Sequence, residues 1–496
     1  MRRLPLAALV LAAACGWLPA AAGAATVRVS TGAELTAALA AAVPGTTIAL
    51  AAGSYGDVAV TGRGGPEGDI TLAGDPGATV SGMAISGSER IVVSGLAVTP
   101  AGAPARVSVA TSSGVSFSGI HLDGGEDGAG AAFDLAATAA SVTIAGSTFL
   151  HCSSPFCIKA TGPGVAIEHN TFDSLDDTDA VHGFGSGIIR GNHMDHALPH
   201  GNGNHNDFVQ IGAGGPWTID ANWMGVRTNG AASIWLDEIN GGLIHDVTIS
   251  NNLVTGHEPG QYVGIFVGGD STPAALLPRN VEVINNTVIS GLATSLRFGE
   301  AYATMPADER PLVVNNTGDR LAGQCERIRT GHNVFAAGEA CGATDVIGNP
   351  HLDAAGSPTA ASTLLIDRGD ASAPALDYLG NARTVGRPDI GAIEFGAGPP
   401  AGASPTPHAF PRLVALKVVR KLHTLVVRVR TSNATRVTVT AVRAGVVVAK
   451  AVHAGSARRG ATLTLKTPRR GRIVVRIRVE GPGGVVRRAL WRAARP

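Results

Sequence analysis

One short pattern limits what this chain can fold into more than any other feature: apolar, any residue, apolar, then an asparagine a few places on, returning again and again. It reads Val165-Ala-Ile167-Glu-His-Asn170-Thr-Phe172, then Ile189…Asn192-His-Met194, Trp217-Thr-Ile219…Asn222-Trp-Met224, Val247-Thr-Ile249…Asn252-Leu-Val254 and Val281-Glu-Val283…Asn286-Thr-Val288. With Asn316 the asparagines fall at steps of 22, 30, 30, 34 and 30 residues. A period of that size is one coil of a solenoid, three short strands joined by turns, whose apolar side chains are buried only when coils stack. An asparagine at the same turn of every coil predicts an internal ladder of side-chain amides, at a place where the left-handed backbone suits that residue. The coils from Ile70 to Ser147 carry Gly or Ser instead, so the ladder is expected to start at Asn170. Composition agrees: 66 glycines among 496 residues and 4% aromatics suit many short strands and exclude a helical bundle.

Ahead of the coils, Gly32 to Gly45 predicts one short amphipathic helix that stops at Pro44-Gly45, followed by a strand over Thr46–Leu50. A solenoid needs its open end covered, and this helix is placed to do it. The helix, the run PGTTIALAAGSY at 44–55 and the asparagine coils together resemble secreted bacterial proteins of the pectin-lyase-like superfamily. So does Asp377-Tyr-Leu-Gly380-Asn…Gly386-Arg-Pro-Asp389-Ile-Gly391-Ala-Ile-Glu394-Phe, which is similar to their closing motif. The resemblance covers roughly residues 26–396 and implies a right-handed parallel β-helix. It implies no single reaction, because that fold hosts lyases, hydrolases, epimerases and non-enzymatic adhesins.

The ends of the chain carry different signals. Met1-Arg2-Arg3, the apolar stretch Leu4 to Leu18 and Ala22-Gly23-Ala24 read as a secretory signal over 1–24, which implies a secreted, extracellular or cell-wall-associated protein. Beyond it lie Cys152, Cys157, Cys325 and Cys341, an even number that suggests two disulfides; of three pairings, short loops favour 152–157 and 325–341. Residues 397–412 are a Pro/Gly linker between a solenoid over 25–396 and a domain over 413–496. Short Val/Thr/Arg runs alternate in that last domain, the pattern of a small immunoglobulin- or fibronectin-like β-sandwich. Residues 401–496 hold 21 of the chain's 39 Lys and Arg but one of its 38 acids, Glu480. A body so basic fits retention on a cell wall or another anionic polymer. No recognition motif points to a specific nucleic acid, and no segment reads as a transmembrane span.

Candidate site residues come from aligning coils on one another. Asp179-Ala-Val-His182 and Asp207-Phe-Val-Gln210 match position for position, with Cys157-Ile158-Lys159 one coil earlier and Ser233-Ile234-Trp235 one later. If Ile158, Val181, Val209, Ile234, Ile265 and Leu296 point inward, their successors point outward. Lys159, His182, Gln210, Trp235, Phe266 and Arg297 then form one stripe of cations, an imidazole, an amide and aromatics, with Asp237 beside it. Such a mixture suits a groove for acidic polysaccharide. His205-Asn-Asp207-Phe-Val-Gln210 resembles an H-x-D-x-x-Q run of secreted β-helix proteins. Asp207 is placed to raise the pKa of the His205 imidazole and hold it as a proton donor, or else merely to cap a turn. Asp176, Asp177 and Asp179 are the oxygen ligands expected of a calcium site, the alternative being exposed turn carboxylates. His193, His196, His200 and His205 offer a weaker reading as transition-metal ligands.

The chemistry expected of this set is polysaccharide lysis by β-elimination, with His205, Asp207, His182 and Lys159 as proton-transfer groups. Gln210, Trp235, Phe266, Arg297 and Asp237 would bind the substrate. Two other readings stay open: a glycoside hydrolase or epimerase built on Asp179 and Asp207, or a non-catalytic polysaccharide-binding adhesin.

Overall fold

The structure, a computed structural model, describes residues 25–397 apart from 100–106, 125–130, 154, 177, 199–205, 226–231, 239–240, 256–262, 290–293, 322 and 384–385, and seven strands between residues 412 and 492. The expected signal at 1–24 and nearly all of the expected linker therefore lie outside the described residues.

The coils wind as a right-handed parallel β-helix with three faces. The first sheet runs from Thr26–Val29 to Arg329–Gly331 and the second from Gly53–Ser54 to Val346–Ile347, each with 13 described strands. The third, with 10, runs from Asp57–Thr61 to Thr294–Phe298. Register is kept along the first sheet, where Ile144, Ile167, Ile189, Ile219, Ile249 and Val283 are successive partners, all buried. Apolar columns of this kind fill the interior, and an out-of-step coil would turn its apolar residues to water.

The polar ladder fixes that register. Asn222 Oδ1 accepts from the backbone N–H and the side-chain amide of Asn192, at 3.0 and 2.9 Å. Asn222 Nδ2 donates to the Ile189 carbonyl and to Asn252 Oδ1, both at 2.9 Å. The chain of amides runs through Asn170, Asn192, Asn222, Asn252, Asn286, Asn316 and Asn333, and ends on Asp345. Before Asn170 the role passes to serine: Ser147 Oγ accepts from the Ile120 N–H at 3.0 Å. The left-handed residue is not the ladder asparagine but the one before it, as at His169, Gly191, Ala221, Asn251, Asn285 and Asn315, with φ between 53° and 64°. The ladder side chain thus points inward from an ordinary conformation while its predecessor makes the corner.

The N-terminal helix spans Gly32–Ala41. Its cap residue Thr31 accepts from the Glu34 N–H at 3.2 Å, and Glu34 reaches back to the Ser30 N–H at 2.7 Å. Leu35 and Leu39 join the solenoid core and cover its end. Both expected disulfides are present, Cys152–Cys157 and Cys325–Cys341.

Residues after the last coil fold back as a strap along the solenoid. Asn251, Asn285 and Asn315, the three corner asparagines, donate to the carbonyls of Leu376, Asp389 and Gly391, and Asp370. Beneath the strap Arg383 and Glu394 form a buried ion pair at 3.1 Å. The closing motif is therefore a clamp across three coils. The C-terminal strands form separate antiparallel sheets of three and four strands. Leu425, Val427, Val429, Leu463 and Leu465 of one share a core with Val437, Val439, Ala441 and Val475 of the other, which makes a small β-sandwich. No described helix is long and apolar enough to cross a membrane.

Candidate active site on the third sheet

The third sheet brings the stripe together. Lys159 is the register partner of His182, His182 of Gln210, Gln210 of Trp235, Trp235 of Phe266, and Phe266 of Arg297. One strand spacing of ~4.8 Å separates each from the next. Their inward neighbours Ile158, Val181, Val209, Ile234, Ile265 and Leu296 are wholly buried. Two residues that sequence reasoning missed extend the stripe, because Asp134 is the partner of Lys159 and Ser108 of Asp134. The signal was there in the alternation Phe133-Asp134-Leu135, but that coil lacks the asparagine on which the others were aligned.

The outer face is less open than alternation alone implies. His182 and Gln210 are each 2% exposed and Phe266 is 6%, whereas Lys159, Trp235 and Arg297 are half-buried. His182 is closed in by aromatic rings, Phe156 edge-on at 4.4 Å and Phe184 stacked at 4.5 Å. Lys159 Nζ lies 5.9 Å from the Phe184 ring centre. Gly183, the next residue, has no room for a side chain: a Cβ there would stand 2.8 Å from the Trp217 ring and 2.7 Å from Ile211.

His182 is held by Asp179. Its Nδ1 meets Asp179 Oδ2 at 2.8 Å with both side chains buried, while Asp179 Oδ1 accepts from the Asp207 N–H at 2.9 Å. With Nδ1 donating to the carboxylate, a neutral ring keeps its lone pair on Nε2, the arrangement of a general base. Asp207 is wholly buried and its Oδ1 accepts from the Ala232 N–H at 2.7 Å, which ties one coil to the next. Among the described residues Asp179–His182 is a histidine–aspartate pair of this sheet. The alternative expected from sequence, His205 with Asp207, has its histidine outside the described residues.

At the other end of the stripe Trp235 stacks on Phe266 at 5.8 Å, and the Arg297 guanidinium lies 5.3 Å from the Phe266 ring centre on a neighbouring strand. Phe266 is enclosed between those two. Arg297 pairs through two nitrogens with Asp270. Asp237 Oδ1 accepts from the Gly269 N–H and the Thr272 hydroxyl, at 3.0 and 2.9 Å, and so fastens the turn that bears Asp270. Burial holds the Asp237 carboxyl above the usual carboxylate range.

Of the expected calcium ligands, Asp179 meets His182 Nδ1 and the Asp207 N–H, Asp176 ends the strand Thr171–Asp176 of the second sheet, and Asp177 lies outside the described residues. Among the described residues no three His, Cys, Asp or Glu side chains gather as a metal needs. Two residues of the histidine loop, His193 and His196, are described. His193 stacks on Trp223 at 4.2 Å and His196 Nδ1 sits between Asp173 and Asp195, at 3.0 and 3.3 Å; His200 and His205 lie outside the described residues.

No protein-family model matches the chain, and no curated protein matches it. Solved structures resemble it in winding. A singly substituted variant of the PL6 family alginate lyase AlyGC shares 12% identity over 70% of this chain and 58% of its own, with a TM-score of 0.36. A doubly substituted pectate lyase from Xanthomonas campestris shares 12% over 56% and 81%, at 0.35. An alginate lyase from Paenibacillus sp. shares 14% over 56% and 98%, at 0.33. This chain thus spans little more than half the length of the first of these. Its own three parallel sheets and asparagine ladder make it a parallel β-helix.

Proposed function

We propose that the chain is a secreted, lyase-like protein that binds acidic, uronate-containing polysaccharide along the third sheet and cleaves it by β-elimination. The observation that supports this reading is the in-register stripe from Lys159 to Arg297 with the buried Asp179–His182 pair inside it. β-Elimination takes the proton from C5 of a uronate, turns that bond's electron pair into the C4–C5 double bond, and breaks the bond from C4 to the glycosidic oxygen, which leaves on C1 of the neighbouring sugar and takes up a proton. His182 Nε2 is the proposed base, oriented by Asp179 in surroundings poor in water. Lys159, one strand spacing away, is the proposed donor to the leaving oxygen. Gln210 and Arg297 neutralise carboxylates, and Trp235 carries a sugar ring. The basic C-terminal sandwich holds the protein on an anionic wall or polymer. No step is assigned to calcium.

The test is to incubate the purified chain with pectate, alginate and glycosaminoglycans, with added calcium and with chelator, and follow the ultraviolet absorbance of the unsaturated uronate. Product from at least one polyuronate is expected; neither product nor binding with any of them would sink the reading. The burial of His182 and Gln210 favours a second reading, a non-catalytic binder, which predicts tight retention on a polyuronate and no unsaturated product.

A further inference from the structure

Arg297 ends the stripe in a grip that an incoming carboxylate would have to replace. Its Nε donates to Asp270 Oδ1 at 3.1 Å and its Nη2 to Oδ2, the forked pairing that a guanidinium makes with any carboxylate. Both partners reach solvent, with side chains 24% and 36% exposed. Asp270 is not a stripe residue; it stands on the turn that follows the strand Val263–Val267. Arg297 does not depend on it alone for position, since the guanidinium also lies against the Phe266 ring, itself stacked on Trp235.

The surroundings make Asp270 a loosely kept anion. Burial, and then Glu300 and Asp237, push its carboxyl above the usual range. On the other side, burial and the nearby Arg327 hold the Arg297 guanidinium below its ordinary range, with Glu300 acting against them.

We propose that Asp270 is a built-in stand-in for a substrate carboxylate, exchanged at Arg297 for the uronate carboxylate of a sugar whose ring lies on Trp235. This rests on the polyuronate reading above and adds to it the place where that carboxylate is read. The exchange keeps one forked pair throughout, so Arg297 is never left without an anion, and Asp270 returns to the water it already touches. A neutral sugar cannot make the trade and is discriminated against by the intact pair.

The test uses the full chain with two probes, an oligogalacturonate and the same oligomer with its carboxylates reduced to alcohols, titrated calorimetrically at low salt. Asp270→Asn removes the competing charge and should bind the acidic oligomer about two- to fivefold tighter, the equivalent of a partly exposed ion pair, with no change for the reduced one. Arg297→Lys, which keeps the charge and loses the fork, should weaken the acidic oligomer alone. Asp270→Ser, scored per folded molecule, must show the same gain where Asp270→Asn disturbs the turn. Equal or weaker binding of the acidic oligomer by both Asp270 variants, with wild type still binding it, overturns the exchange and leaves the polyuronate reading standing. Wild type that binds neither oligomer overturns both.

Discussion

Replace Asp179 by asparagine and the third sheet should lose its chemistry while keeping its shape. Asparagine Oδ1 still accepts from the Asp207 N–H, now at 2.9 Å, so the tie between coils survives. Its Nδ2 instead presents a proton to His182 Nδ1, where the carboxylate now stands 2.8 Å away. A neutral imidazole must then carry its proton on Nε2, and the proposed base becomes a donor. Losing a positioned proton-transfer group costs about 10²–10⁴ in rate. Exchanging a buried charge-assisted hydrogen bond for a neutral one costs about 1–2 kcal/mol of stability. Asp207 supplies the control. Asp207→Asn keeps the cap on the Ala232 N–H and should leave turnover near wild type, whereas Asp207→Ala orphans that buried N–H at about 1–3 kcal/mol. Initial rates from ultraviolet absorbance, divided by the folded fraction from urea unfolding, separate the two effects. Asp207→Asn falling by about 10² or more with Asp179→Asn at full rate would refute the assignment and return the chemistry to Asp207.

Three further perturbations test the scaffold. Asn222→Ala deletes four hydrogen bonds and orphans the Asn192 N–H; about 2–5 kcal/mol should go, as a lower urea midpoint at unchanged slope, and a loss below about 1 kcal/mol would deny the ladder its role. Burial raises the Glu394 and Asp389 carboxyls, so their contribution is full below the ordinary carboxylate range and is lost as pH rises through the raised values. The melting temperature of wild type minus that of Glu394→Gln should therefore shrink as pH rises from acid to neutral, and a widening gap would reverse the argument. Asn206 is wholly buried with neither amide atom hydrogen-bonded to a described residue, so Asn206→Leu should hold or raise the melting temperature, while a loss of more than about 1 kcal/mol would reveal a partner the fold relies on.

Most of the fold was legible in the sequence because a solenoid writes its geometry as a period. Once the asparagines are set in register, strand pairing follows without tertiary information, and so does the partnership of Lys159 with His182 and Gln210. Burial was not legible. Whether an outward residue meets water depends on its neighbours' bulk, and nothing in a period shows that Phe156 and Phe184 close over His182. The strap was visible only as a resemblance, since the corner asparagines Asn251, Asn285 and Asn315 look, in sequence, like doublings of the ladder residues that follow them.

The Asp179–His182 pair was missed for a more instructive reason. Strict alternation puts residues three apart on opposite faces of a strand, which seems to rule the contact out. In the third sheet, however, Cys157 and Ile158, Ala180 and Val181, and Phe208 and Val209 are consecutive residues that all face the core. The register confirms an irregularity there, because Phe156 pairs with Asp179 and Ile158 with Val181 while the residue between is skipped. One extra inward residue reverses the alternation, as a bulge does, and brings Asp179 back to the outer side with His182. The apolar doublets stand at aligned positions in three successive coils, so the irregularity was readable as a repeat in its own right. In two of these coils the aspartate just before the doublet also reaches the next coil, Asp179 to the Asp207 N–H and Asp207 to the Ala232 N–H. At the one coil that carries a histidine three residues on, the same local departure from alternation thus aims a carboxylate at an imidazole.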